Sequence, residues 1–111
     1  MAYLREENEK LEVSYPLNQV WQAMPNAIEK LEWKIEESNQ ETHYLKVKTK
    51  GAFLSYPSTF KIELTALSDK TTKMSISAQT PTTTITSMAD IGRTRERIDQ
   101  FIVALAKLMG G

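Results

Sequence analysis

The stretch Ser87-Met88-Ala89-Asp90-Ile91-Gly92-Arg93-Thr94-Arg95-Glu96-Arg97-Ile98-Asp99-Gln100-Phe101-Ile102-Val103-Ala104-Leu105-Ala106-Lys107-Leu108-Met109 is the longest strongly periodic segment of this 111-residue chain. Ile91, Ile98, Phe101, Ile102, Leu105, Leu108 and Met109 fall on one side of a 3.6-residue wheel, which predicts an amphipathic helix over 88–109. Ser87, three residues before Asp90, has capping character, and Gly110 and Gly111 stop the helix. Gly92, in the first turn, is expected to permit a close helix-on-sheet contact. A stripe this apolar needs a broad surface to lie on.

The segments before it supply that surface. Leu11, Val13 and Tyr15 alternate with Lys10, Glu12 and Ser14, which predicts a half-buried strand over 9–15. Pro16 opens a helix over 16–32, in which Leu17, Val20, Trp21, Met24, Ala27, Ile28 and Leu31 share a face. Pro25 removes one hydrogen bond inside it, so a kink near Met24 or two short helices are expected. Further alternation predicts strands over 33–38, 43–50, 58–67 and 71–79, with Phe60, Ile62, Leu64, Ala66, Met74, Ile76 and Ala78 inward. Thr80 to Thr86, interrupted by Pro81, reads as an extended connection and not as a central strand.

The element order is therefore β-α-β-β-β-β-α. Short links imply antiparallel pairing of the later strands. One apolar face per strand and one stripe per helix predict an α+β two-layer sandwich, a five-stranded antiparallel sheet with two helices on one face, as a single domain over 1–111.

Composition narrows the chemistry. The chain is 41% hydrophobic and 25% charged, which suits one globular core. It has no cysteine and one histidine, His43, so disulfides, thiolate nucleophiles and the usual zinc sets are excluded. No phosphate loop, nucleophile elbow or metal spacing is present, so no catalytic residue, cofactor or metal is assigned. No apolar leader segment is visible and no run is long enough to span a membrane, so a soluble, cytoplasmic protein is expected. Net charge is zero, but the acidic residues lie mostly before Thr42 and the basic ones after it, which suits neutralisation across neighbouring strands.

The order of elements resembles one repeat of the TATA-binding-protein-like fold and a minimal helix-grip domain of the START and Bet v 1 superfamily. The segment Asp90-Ile91-Gly92 to Arg97-Ile98 and Phe101, with Val20-Trp21 and Leu31-Glu32-Trp33, resembles a family of small bacterial domains of unknown function. That resemblance implies no chemistry. The helix-grip likeness implies an apolar ligand pocket between sheet and helices.

Three binding surfaces follow. The loop Gly51-Ala52-Phe53-Leu54-Ser55-Tyr56-Pro57 is unusually apolar; it either plugs the end of the core or lines a ligand site with Trp21 and Trp33. Trp21, Trp33, Phe53, Leu54 and Tyr56 are thus the candidates for a protein partner or an apolar small ligand. Lys46, Lys48, Lys61 and Lys73 on the polar sheet face are candidates for nucleic acid or another anion, against a solvated lysine face as the plain alternative. Arg93 and Arg97 at the helix start are a second anion candidate, against local pairing of Arg93 with Asp90 or Glu96 and of Arg95 with Asp99. The leading expectation is a non-enzymatic binding domain.

Overall fold

The computed structural model describes residues 3–51, 56–82 and 92–110. The elements are β1 (Tyr3–Val13), α1 (Leu17–Lys30), β2 (Lys34–Asn39), β3 (Tyr44–Lys48), β4 (Thr59–Ser68), β5 (Thr71–Thr82) and α2 (Arg93–Leu108). All sheet pairs are antiparallel, in the order β1-β5-β4-β3-β2. The fold is the α+β arrangement expected, with consecutive later strands paired and β1 returning to lie beside β5.

The core lies between sheet and helices. Leu45 and Val47 of β3, Phe60, Ile62 and Leu64 of β4 and Met74, Ile76 and Ala78 of β5 meet Val20, Met24, Ala27 and Ile28 of α1 and Ile98, Phe101 and Leu105 of α2. Alternate residues such as Lys61 and Glu63 are exposed, as period two demands. Ala66, expected inward, is exposed beside a register shift between Ala66 and Ser68.

β1 begins six residues before the expected start. Arg5-Glu6-Glu7-Asn8-Glu9-Lys10 has poor strand propensity, but β5 offers it partners from Thr80 through Ser75, and pairing overrides propensity. Correspondingly β5 continues through Thr80 and Pro81, which the sequence reads as a connection. Pro81 is tolerated because the last β4 partner is Thr59, opposite Gln79; beyond it β5 is paired with β1 alone.

α1 is one element through Pro25, not two. Pro25 is exposed, while Met24, Ala27 and Ile28 on either side of it are buried, so packing holds the helix across the missing bond. The helix ends with Glu32 in the left-handed region (φ 61), where the N–H of Trp33 donates to the Ile28 carbonyl (3.0 Å) and that of Glu32 to Glu29 (3.0 Å). This is a Schellman ending with glutamate where glycine is usual. Glu32→Gly should therefore raise the thermal midpoint, measured by calorimetry, because its exposed ion pair with Lys50 contributes little.

α2 starts at Arg93, and the expected helical residues 88–91 lie outside the described residues. Gly92 has φ +80, which no right-handed helix accommodates, so regular helix cannot pass through it. Among the described residues, a Cβ at Gly92 would meet nothing within 4 Å, so the glycine answers a backbone angle and not the close contact expected. Gly92→Ala should cost about 1 kcal/mol in urea denaturation.

Candidate binding site

α1 and α2 lie side by side over the sheet, and an open groove of about 740 Å³ runs between them. One wall is the end of α1 with Lys30, Leu31 and Trp33. The other is the face of α2 that carries Glu96, Asp99, Gln100, Val103, Ala104 and Lys107. The groove continues at one end into a second depression of about 400 Å³, which adds Lys50, Gly51, Arg93 and Arg97.

Trp33 is the pivot of this site. The left-handed Glu32 turns the chain so that Trp33 packs back on the core, 5.0 Å from the Phe60 ring and 6.5 Å from the Phe101 ring, nearly parallel to the latter. Phe60 and Phe101 meet edge to face at 6.4 Å, so the groove floor rests on an aromatic cluster. Val103 stands 52% exposed on the opposite wall, one of the few large apolar side chains so placed. Four charges ring these apolar groups, Lys30 and Lys107 against Glu96 and Asp99, so the groove has an apolar middle and a polar rim.

Beneath the loop end of the groove lies a buried polar network. The Arg97 guanidinium donates to the Ser58 hydroxyl (2.6 Å) and to the Tyr56 carbonyl (3.1 Å). Ser58 Oγ lies 2.5 Å from Thr80 Oγ1, which lies 2.8 Å from Thr94 Oγ1. The Ser58 N–H donates to Thr49 Oγ1 (2.8 Å), and the Thr49 N–H to the Ser58 carbonyl (2.9 Å). All five side chains, Thr49, Ser58, Thr80, Thr94 and Arg97, are buried. They tie the ends of β3 and β5 and the start of β4 to the first turns of α2.

The predicted site residues are thereby separated. Trp33 and Tyr56 share the loop end of the molecule; Tyr56 is 46% exposed and its carbonyl is held by Arg97. Trp21 is at the other end of α1, edge-on to the His43 ring at 5.3 Å, so the two tryptophans do not share a pocket. Phe53 and Leu54 lie outside the described residues. Arg97 is not a surface partner of Arg93. It sits on the stripe with Thr94 and Phe101 and is 7% exposed, which removes it from any exposed anion site. Arg95 pairs with Asp99 (3.5 Å), as expected, and also with Glu9 of β1, and its guanidinium is pushed above its ordinary range chiefly by that Glu9 bond.

The lysines do lie on the outer sheet face. Lys46 stands directly across from Lys61 and also from Glu37, Lys48 from Lys34, and Lys73 from Glu12. With Glu12, Glu37 and Glu63 among them, the face is of mixed charge. Tyr44, opposite Glu63, has its phenol pushed up by burial and by Glu37 and Glu63. Among the described residues, no group of three or more histidine or acidic side chains is placed to hold a metal ion.

An apolar cleft of about 230 Å³ lies elsewhere, between the end of β1 and the last turns of α2. It is smaller than the usual pocket for a whole ligand. Sequence reasoning missed the α2 wall of the larger groove because it is the polar side of the wheel. The available signal was Val103-Ala104, apolar residues off the stripe.

The family model for the outer membrane protein assembly factor BamC-like C-terminal domain matches residues 1–109. No curated protein matches in sequence. Among solved structures, a norcoclaurine synthase point mutant from Thalictrum flavum in complex with a transition-state analogue superposes with a TM-score of 0.73 at 11% identity, covering 97% of this chain and 95% of that one. Ara h 8.0201 gives 0.66 at 12%, covering 98% and 100%. The Zhui aromatase/cyclase from Streptomyces sp. R1128 gives 0.65 at 11%, covering 97% and 93%. At these identities the likeness shows the fold alone, and that fold is the helix grip. The family match corrects two expectations. The family is not one of unknown function, and a cytoplasmic location is overturned, since the matching domain is that of an outer membrane assembly factor. The composition of a folded domain carries no address. Among the described residues no helix is long and apolar enough to cross a membrane.

Proposed function

This chain belongs to the BamC-like C-terminal domain family of outer membrane protein assembly factors, and from that premise we propose that it is a non-enzymatic module which binds a polypeptide segment of the assembly machinery in the groove between α1 and α2. The observation that carries this reading is the groove itself. It is open, walled by Trp33 on one side and by the exposed Val103 on the other, with opposite charges along its rim. An amphipathic helix or an extended segment laid there would bury its apolar side chains on Trp33, Leu31 and Val103. It would also meet Lys30, Lys107, Glu96 and Asp99 at the edges. Small-ligand pockets, by contrast, enclose most of their ligand.

The test is affinity capture of assembly-machinery components from detergent-solubilised membranes. Val103→Asp should retain the fold, because the side chain is half exposed, and should reduce recovery about tenfold or more. Equal recovery with Val103→Asp and with the unchanged chain would sink the groove as the binding site.

A further inference from the structure

β1 is an edge strand: among the described residues its one neighbour is β5. Its two halves are protected differently. In the first half, Glu7 and Glu9 point toward the helix layer and Glu9 is paired with Arg95 of α2, a charged guard of the kind that discourages strand addition. In the second half the inward residues are Leu11 and Val13, and beside them the apolar cleft opens, walled by Tyr15, Ile102, Ala106 and Met109.

We propose that this half of β1 pairs antiparallel with β1 of a second copy of the chain, across a two-fold axis at Leu11. The charge pattern selects both occupant and register. Partners in an antiparallel pair must share a face, so a two-fold axis can pass only through a residue. An axis at Lys10 or Glu12 sets that charge against itself. An axis at Glu9 sets Glu9 against Glu9 and Glu6 against Glu12. An axis at Asn8 sets Glu7 against Glu9 twice. An axis at Leu11 places Leu11 against Leu11, sets Lys10 of each copy against Glu12 of the other, and creates no like-charge pair; an axis at Val13, the last residue of the strand, also avoids like charges but makes no opposite-charge pair. Glu9 then lies across from Val13 but keeps its Arg95. The two five-stranded sheets join into one and the two apolar clefts meet over the axis. The groove of the proposed function lies on another face of α2 and stays open, so the pairing does not depend on that reading.

The interface is small, so the expected dissociation constant is on the order of 10–100 μM. Sedimentation equilibrium up to about 500 μM should show the mass rise from 12.6 kDa toward twice that value. Lys10→Glu alone and Glu12→Lys alone each turn two opposite-charge contacts into like-charge ones, and each should weaken association about thirtyfold. An equimolar mixture of the two variants restores both contacts and should dimerise again, as should the double variant. Both positions are exposed and Lys10 faces Ser75, so thermal unfolding of Lys10→Glu should stay close to that of the unchanged chain. Glu12→Lys, which sets a lysine across from Lys73 of its own chain, should lower the midpoint slightly without unfolding the protein at the temperature of the experiment. A chain that remains at 12.6 kDa throughout, a dimer that neither reversal disturbs, or a mixture no heavier than its components overturns the proposal.

Discussion

Arg97→Met is expected to destabilise the protein by about 3 kcal/mol in urea denaturation, although methionine nearly fills the same space. The loss comes from what the guanidinium leaves behind. Ser58 Oγ and the Tyr56 carbonyl lose a charged donor at 2.6 and 3.1 Å, in a place from which water is largely excluded. Both acceptors are reached from the same guanidinium nitrogen, Nη1; Arg97→Lys keeps the charge but carries it on a shorter side chain without the rigid planar group, so it should recover only part of the loss. If Arg97→Met were neutral, the guanidinium would be a tolerated passenger and the network a consequence of packing. Because Arg97 holds Tyr56 and Ser58 at the loop end of the groove, the same substitution should weaken partner capture even at temperatures where the variant stays folded.

Phe101→Ala is expected to cost about 4 kcal/mol, a large part of the 5–15 kcal/mol typical of a whole domain. Phe101 is fully buried, and its ring meets both Phe60 and Trp33, so truncation opens a cavity that neither neighbour can fill without leaving the other. Phe101→Leu should cost much less, about 1–1.5 kcal/mol. The check is calorimetric unfolding together with tryptophan emission, since the floor under Trp33 is removed and its ring becomes more hydrated. An alanine variant within 1 kcal/mol of the unchanged protein would show that the aromatic cluster is not the centre of this core.

Local periodicity was enough to place every element type, because each strand and helix has one apolar side and the two periods, 2 and 3.6, are distinguishable over five to sixteen residues. It was not enough for the ends. Arg5 to Lys10 became strand only because β5 ran beside it, Pro81 was admitted only because β4 stops short of it, and α1 crossed Pro25 on the strength of its buried neighbours. Trp21 and Trp33 looked equivalent on the sequence. They pack on different groups, Trp21 on His43 and Trp33 on Phe60 and Phe101, because the turn at Glu32 carries Trp33 back over the core.

By itself, then, the sequence determined the α+β class, the antiparallel order of β2 to β5, the inward residues of those strands apart from Ala66, and the apolar stripe of α2. All of these follow from patterns within one element or between neighbours in the chain. Tertiary structure alone decided that β1 pairs with β5, that Arg97 turns inward to Ser58 and Tyr56 while Arg93 does not, and that Val103 faces Trp33 across a groove. Those contacts join residues 30 to 80 positions apart. No local period records them, because their energy arises only when the helix axis has settled on the sheet and fixed which side of each turn is dry.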